Sequence, residues 1–245
     1  MVLRKANMMV DVHFLTTNRQ VFEHAKIESG AKYIPDWFKS LAPKIISKEV
    51  DGGVFYTMKT CPGFVTLFKK SFMIPLWSDI NISLGEIGSN EASFKAPNPD
   101  VTMETHHPAQ YDGFAGGEWQ QIKFDCPWSV KSSKPLNFCF LEPIWNNIEE
   151  TKNFRILPGI VGSEKNHSIP LNINTMIRRE KNHKVYQLKL GTPFCHIVPM
   201  TDEKINVKYR LVDREEMERE HSPLALRLKF QGFYEKVKEK VSKDG

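Results

Sequence analysis

The side chains best suited to chemistry cluster in one short stretch, residues 105–119, which contains the adjacent pair His106 and His107. An imidazole can bind a metal, transfer a proton or donate a directed hydrogen bond near neutral pH. Adjacent residues of an extended segment point to opposite sides, so only one of these histidines can face a given pocket. A metal site at this place therefore needs ligands from elsewhere in the chain.

The further candidates for metal ligands are scattered through the sequence. With His107 included, they are His107, His167, His196 and Asp79. A non-haem iron centre needs two histidines and one carboxylate around an open coordination position. The usual His-x-Asp spacing is missing, and so are the zinc patterns His-Glu-x-x-His and Cys-x-x-Cys. The sequence thus leaves open a metal-dependent small-molecule enzyme on a jelly-roll scaffold, with His107 binding a divalent metal.

The same stretch can also bind a ligand without catalysis. In that hypothesis His107 and Gln110 donate directed hydrogen bonds, and aromatic rings form the apolar walls of a pocket. The predicted ligand-binding residues are His106, His107, Gln110, Tyr111, Glu118, Trp119 and Trp77. The alternative is structural: His107 and Gln110 hold the loop by bonding backbone groups.

The cysteines give no sign of nucleophilic or disulfide chemistry. Cys61, Cys126, Cys139 and Cys195 are widely separated, and Cys195 alone has a histidine, His196, next to it in the sequence. We expect buried free thiols in a reducing compartment, the cytoplasm, or the host cytoplasm if the protein is phage-encoded. No apolar run approaches the ~20 residues that cross a bilayer, so no membrane is expected as a partner.

Short strands separated by turns dominate the hydrophobic pattern. Val10, Val12 and Phe14 alternate with other residues, and so do Ile80 and Ile82. Further strands are predicted at residues 119–124, 128–131, 136–141, 154–161, 169–177, 185–190 and 194–200. Short helices are predicted at residues 33–41 and 61–70, and a long loop at residues 88–117. We therefore expect a mainly β, antiparallel sandwich or distorted barrel, jelly-roll-like, with short N-terminal helices.

The C-terminal residues change from this pattern to a helical one. Ser222 and Pro223 suit the start of a helix, and apolar residues then recur every three or four positions up to Val241. The sequence predicts a β-rich domain at residues 1–221 and a long amphipathic helix at residues 222–245, packed on it. Its lysines could contact nucleic acid, but interleaved acidic residues and a net charge of only +5 argue against that partner.

Several motifs resemble those of a family of uncharacterised proteins encoded by phages and some bacteria. They include Leu157-Pro158-Gly159-Ile160-Val161-Gly162-Ser163 and Leu190-Gly191-Thr192-Pro193-Phe194-Cys195-His196-Ile197-Val198-Pro199. Tyr33-Ile34-Pro35-Asp36-Trp37, Pro170-Leu171-Asn172-Ile173-Asn174, Ile74-Pro75-Leu76-Trp77-Ser78-Asp79 and His107-Pro108-x-Gln110 fit the same family. The resemblance implies a phage-encoded or phage-derived protein and no particular reaction.

The first of these motifs is also similar to the catalytic turn of the dUTP pyrophosphatase and dCTP deaminase group. In that group a Gly-Ile-Ile-Asp-type turn carries the aspartate that orients the attacking water. Here Gly162 occupies the position of that aspartate. The resemblance therefore implies a shared β-fold, and nucleotide-binding only as a remote alternative.

We conclude from the sequence that the chain is a non-catalytic binding or assembly protein. Its expected recognition element is the loop at residues 88–119, and its expected partner is a small molecule, another protein or a second copy in a homo-oligomer. The competing class is the metal-dependent enzyme that uses His107.

Overall fold

The computed structural model describes residues 9–46, 53–89, 91–98, 100–107, 110–111, 117–146, 152–163 and 167–221. β-Strands are the commonest secondary structure in this described chain, and they form five sheets. Its α-helices are α1 (Arg19–His24), α2 (Asp36–Ser40), α3 (Pro62–Lys70) and α4 (Arg214–Glu220). Single turns of 3-10 helix lie at Gly30–Tyr33, Met58–Thr60 and Ile144–Asn146.

The N-terminal strand lies inside a four-stranded sheet. In spatial order its strands are β14 (Ile169–Pro170), β10 (Ser129–Ser132), β1 (Met9–Thr16) and β18 (Lys204–Leu211). Val10, Val12 and Phe14 are fully buried, which confirms the alternation in the sequence. Strand β1 pairs antiparallel with β10 but parallel with β18, so the mainly antiparallel fold contains a parallel pair.

A five-stranded antiparallel sheet contains the motif at residues 190–199. Its strands are β13 (Gly159–Ser163), β11 (Leu136–Leu141), β17 (Pro193–Pro199), β5 (Phe72–Pro75) and β2 (Glu28–Ser29). Four consecutive residues of β17, from Phe194 to Ile197, are buried. A central strand that is covered on both faces has this continuous burial pattern. Leu157 and Pro158 separate β13 from the preceding strand, so the predicted strand 154–161 is two strands.

Two smaller antiparallel sheets flank the predicted binding loop. The first contains β12 (Phe154–Ile156), β15 (Ile173–Arg178), β9 (Trp119–Asp125) and β8 (Thr102–Thr105). The second contains β16 (Lys184–Leu188), β6 (Ile80–Leu84) and β7 (Ala92–Lys95).

The prediction of one long loop at residues 88–117 was wrong in part, because β7 and β8 lie within it. Both are edge strands, and Met103 is their one buried residue, so apolar alternation is lacking in this segment.

The fifth sheet is a separate hairpin. It consists of β3 (Lys44–Ile46) and β4 (Val54–Tyr56), which pair only with each other among the described strands. All six residues are exposed. A two-stranded hairpin is marginally stable in water when it stands alone.

One hydrophobic core joins the four larger sheets. It contains residues from β1, β6, β9 and β17, with Trp128 among its largest fully buried side chains. Phe38, Phe64 and Phe68 form a second, smaller core between α2 and α3. These contacts support the mainly β fold class, while a sandwich or jelly-roll arrangement stays a prediction.

The described sheets are all open, so the part of the chain with assigned structure forms no closed barrel. The predicted C-terminal helix at residues 222–245 lies outside the described residues, and the domain boundary at residue 221 stays a prediction. Across the described ranges, no helix combines the length and apolarity that crossing a bilayer would demand.

Candidate functional site

The root of the predicted binding loop is held by a buried arginine. Arg179 is 2% exposed and follows β15. Its Nη1 donates hydrogen bonds to the carbonyl oxygens of Gly85 (3.0 Å) and Glu91 (3.1 Å), and its Nη2 donates to Gln120 Oε1 at 2.7 Å. Burial lowers the pKa of Arg179, because desolvation disfavours the charged form. The guanidinium thus ties the turn between β6 and β7 to the start of β9.

Gln120 extends this contact to His106. Gln120 Nε2 donates to the carbonyl oxygen of His106 at 3.2 Å, and the backbone N–H of His106 donates to the carbonyl of Gln121 at 3.3 Å. The hydroxyl of Tyr111 donates to the carbonyl of Trp119 and accepts from the N–H of Gln121, both at 3.4 Å. His106 and Tyr111 are therefore partly engaged in holding the two ends of the loop together.

The other polar residues of the predicted site lie on the surface. His107, Gln110 and Glu118 are exposed, and the Gln110 N–H donates to the carbonyl of His107 at 2.8 Å. A carboxylate oxygen of Glu118 lies 3.8 Å from Nη2 of Arg178. These side chains can therefore meet a partner from solvent.

The two tryptophans of the predicted site differ in their surroundings. Trp119 is half-buried at the start of β9. Trp77 is buried in the main core, with its ring centroid 6.4 Å from that of Phe194. Its Nε1 has no hydrogen-bond partner among the described residues. Trp77 therefore serves core packing, and its role as a pocket wall stays a prediction.

The candidate metal ligands have separate structural partners. Asp79 Oδ1 accepts from the N–H of Leu190 at 2.9 Å, and its Oδ2 lies 3.7 Å from Lys189 Nζ, so it holds the turn before β17. His167 precedes β14, and its Nδ1 is buried. Within the part of the chain that the structure covers, no three His, Cys, Asp or Glu side chains come together as a metal site.

His196 is the most deeply buried of these candidates. Its Nδ1 lies 3.1 Å from Ser71 Oγ, and its ring packs edge-on against Phe68 at 5.2 Å between centroids. Burial lowers the pKa of His196 to about 4. A neutral imidazole in this place connects the end of α3 to the five-stranded sheet.

The buried cysteines are poorly placed for nucleophilic chemistry. Burial raises the pKa of Cys126 to about 12 and that of Cys195 well above its usual range. The thiolate is the reactive form, so these thiols are unreactive at neutral pH. All four cysteines are free, as the sequence predicts, but Cys61 and Cys139 are only half-buried, whereas burial was expected for all four.

The exposed hairpin is a feature that the sequence analysis missed. We call β3 and β4 the apolar arm, because its residues are Ile45, Ile46, Val54, Phe55 and Tyr56 together with Lys44. Ile45 pairs with Phe55, so these two share one face and the remaining four share the other. The five apolar residues are between 42% and 73% exposed. Both faces of the apolar arm are therefore open to solvent.

The base of the arm is fixed to the small core. The N–H of Thr57 donates to the carbonyl of Pro43 at 3.1 Å, and Lys59 Nζ donates to the carbonyls of Phe38 (3.1 Å) and Lys39 (2.9 Å). The base of the apolar arm is thus attached to the part of the small core that α2 forms.

Three further exposed apolar residues, which we call the platform, lie on the same small core or, for Ile144, next to a residue that does. They are Trp37, Ile144 and Trp145. Trp37 Nε1 donates to the carbonyl of Trp145 at 2.9 Å, and both rings pack on Phe64. Trp37 stays exposed because Phe38 takes the buried position beside it.

The residue pattern Asp51-Gly52-Gly53 between two β-rich runs is a hairpin signal in the sequence. It could have revealed the arm, but not its exposure. Apolar residues normally indicate burial, so the pattern alone hides a surface of this kind.

Comparison with models of known protein families gives no match, and comparison with curated proteins gives none either. The resemblance to phage-encoded proteins and to the dUTP pyrophosphatase fold accordingly stays a prediction.

Proposed function

We propose that this chain is a non-catalytic binding and assembly protein, and that the apolar arm and the platform form its protein-contact surface. One observation carries the proposal: five of the six residues of β3 and β4 are apolar, and all six are exposed. The exposure of apolar side chains on both faces of such a hairpin to water is unfavourable. A partner that covers these side chains therefore stabilises the hairpin.

The area supports this proposal. With ~200 Å² for each aromatic residue, the exposed fractions of Phe55, Tyr56, Trp37 and Trp145 alone correspond to roughly 400 Å². The exposed aliphatic residues Ile45, Ile46, Val54 and Ile144 add to this area. Apolar patches of more than a few hundred Å² on soluble proteins commonly mark interaction sites.

The loop at residues 88–119 remains a second proposed recognition element. Its support is the Arg179 and Gln120 contact network, which holds the loop root before any partner arrives and so reduces the entropy lost on binding. The phage setting also remains part of the proposal.

The dye bis-ANS, which fluoresces on apolar protein surfaces, tests whether the arm is an accessible contact surface. We compare the full chain, the double variant Ile46→Ser/Phe55→Ser, and a control at an exposed phenylalanine outside the arm, Phe94→Ser, on a dilution series. At the lowest concentration the double variant should lose about half of the fluorescence, and the control should lose little. Equal fluorescence from all three proteins would contradict the proposed contact surface.

A further inference from the structure

A row of basic side chains crosses the four-stranded sheet that contains β1. His13 of β1 pairs with Lys131 of β10 on one side and with Lys208 of β18 on the other. Residues that face each other on neighbouring strands share one face of the sheet. Arg210 lies in the next row of the same face, beside Leu15. The imidazole of His13 is therefore placed between two lysines, with an arginine nearby.

Each of these three cations already has a carboxylate partner. The pairs are Lys131 with Glu220, Arg210 with Glu216 and Glu220, and Lys208 with Asp11. Glu216 and Glu220 belong to α4, so the same charges also fix α4 on the sheet. Three cations and three carboxylates balance, and the region has no formal net charge as long as the imidazole of His13 is neutral.

The ring of His13 has an enclosed nitrogen that cannot easily accept a proton. Its Nδ1 is buried and has no hydrogen-bond partner among the residues with assigned structure. When the proton of the neutral ring is on Nε2, Nδ1 needs no acceptor. A second proton would add a buried N–H group without an acceptor and a charge without a partner. Burial, followed by the charge of Lys208, lowers the pKa of His13, and Asp11 acts in the opposite direction.

We propose that His13 is a proton-sensitive switch that loosens β18 and α4 from the sheet in mildly acidic solution. Within the described sheets, β18 is an edge strand that pairs with β1 alone, whereas β1 and β10 each have a strand on both sides. A positive charge between Lys131 and Lys208 repels both lysines and so weakens the ion pairs that hold β18 and α4. The switch adds regulation to the chain and does not depend on the apolar arm.

One further histidine reaches the same face of the sheet. His221, at the end of α4, has its Nε2 3.3 Å from Oγ of Ser129 on β10. Any pH effect of His221 would persist when His13 is replaced. The carboxylates of this face stay ionised at about pH 5.5, because carboxyl groups ordinarily titrate near pH ~4. A comparison with and without His13 at this pH therefore isolates the effect of its ring.

Hydrogen exchange of the backbone amides in residues 204–220 of the full chain tests the switch. The comparison is between about pH 7.5 and about pH 5.5, after correction for the intrinsic pH dependence of exchange. Because the opened form takes up a proton with the ordinary pKa of 6.5, opening should become up to about tenfold more frequent at the lower pH. The amides of β17 should stay more protected than these residues at both pH values.

The variant His13→Gln should lose this acceleration, because glutamine does not titrate. Its matched control is His24→Gln, since His24 is exposed on α1, a helix that contacts β18. The control should keep the full acceleration of the wild-type protein.

A second variant tests the charge argument even if His13→Gln fails to fold. Lys208→Met removes the positive charge with the largest effect on the ring, so the pKa of His13 should rise toward 6.5. The ring signals of His13 in NMR spectra report this titration directly. With a smaller difference between the closed and opened forms, the acceleration of exchange at about pH 5.5 should shrink.

Three results would overturn this inference. One is equal opening of residues 204–220 at both pH values in the wild-type protein. Another is an acceleration that persists undiminished in His13→Gln or in Lys208→Met. The third is exchange of residues 204–220 only together with the amides of β17, because global unfolding would then explain the effect.

Discussion

Replacing Arg179 by methionine should destabilise the protein measurably. The variant keeps an unbranched stem and removes the guanidinium from its buried position. Gly85 O and Gln120 Oε1 then lose the donors that reach them at 3.0 and 2.7 Å, while Glu91 O still accepts from the N–H of Gly85. Each buried acceptor without a donor costs about 1–3 kcal/mol, and removal of a desolvated charge offsets part of that loss.

We therefore expect Arg179→Met to lower the free energy of unfolding by about 2 kcal/mol. The neighbouring Arg178 is a matched control, because its guanidinium is on the surface and lies 3.8 Å from Glu118. Arg178→Met should cost no more than about 0.5 kcal/mol, as is usual for exposed ion pairs. Urea denaturation measures both values under identical conditions.

Hydrogen exchange shows where the effect of Arg179→Met is located. The amides of residues 85–91, 106 and 121 should exchange faster in this variant than in the wild-type protein, because the clamp that joins the two loops is gone. Equal losses of stability in Arg178→Met and Arg179→Met, with unchanged exchange in both loops, would refute the assignment of Arg179 as this clamp.

Two further predictions concern His196 and metal binding. Because the pKa of His196 is about 4 in the folded protein and 6.5 ordinarily, the unfolded chain binds more protons between these values. Its contribution to stability should be complete above pH 6.5 and should fall by about 3 kcal/mol as the pH drops to 4. Urea titrations at several pH values should show a weaker dependence for His196→Gln, and identical slopes would count against the buried neutral imidazole. For untagged protein we expect no stoichiometric metal and an unchanged Tm in a chelator. Stoichiometric iron, manganese or zinc that disappears in His107→Ala would instead support the enzyme hypothesis.

Local patterns predicted many elements but not their surroundings. Val10, Val12 and Phe14 lie on one face of a strand, as their alternation indicates, and α3 has the expected bounds within one residue. Strand β18 was missed although Ile205 and Val207 alternate in it, because its residues are mostly half-buried and interrupted by charges.

The candidate site was harder to predict, because its contacts join distant parts of the chain. The sequence indicates His106 and Tyr111 but gives no sign of Arg179, whose partners Gly85 and Gln120 come from two other segments. A lone arginine in a sequence is normally expected on the surface. Only the folded topology brings this one beneath the loop.

The parallel pairing of β1 with β18 has a consequence for how the chain folds during synthesis. Val207, which pairs with Val12, is synthesised 195 residues after it. At about 5–20 residues per second, β1 waits roughly 10–40 s for this partner. During that time its apolar face and its unpaired edge are open to other chains, so the slowest and most aggregation-prone step of folding should be the arrival of β18 beside β1.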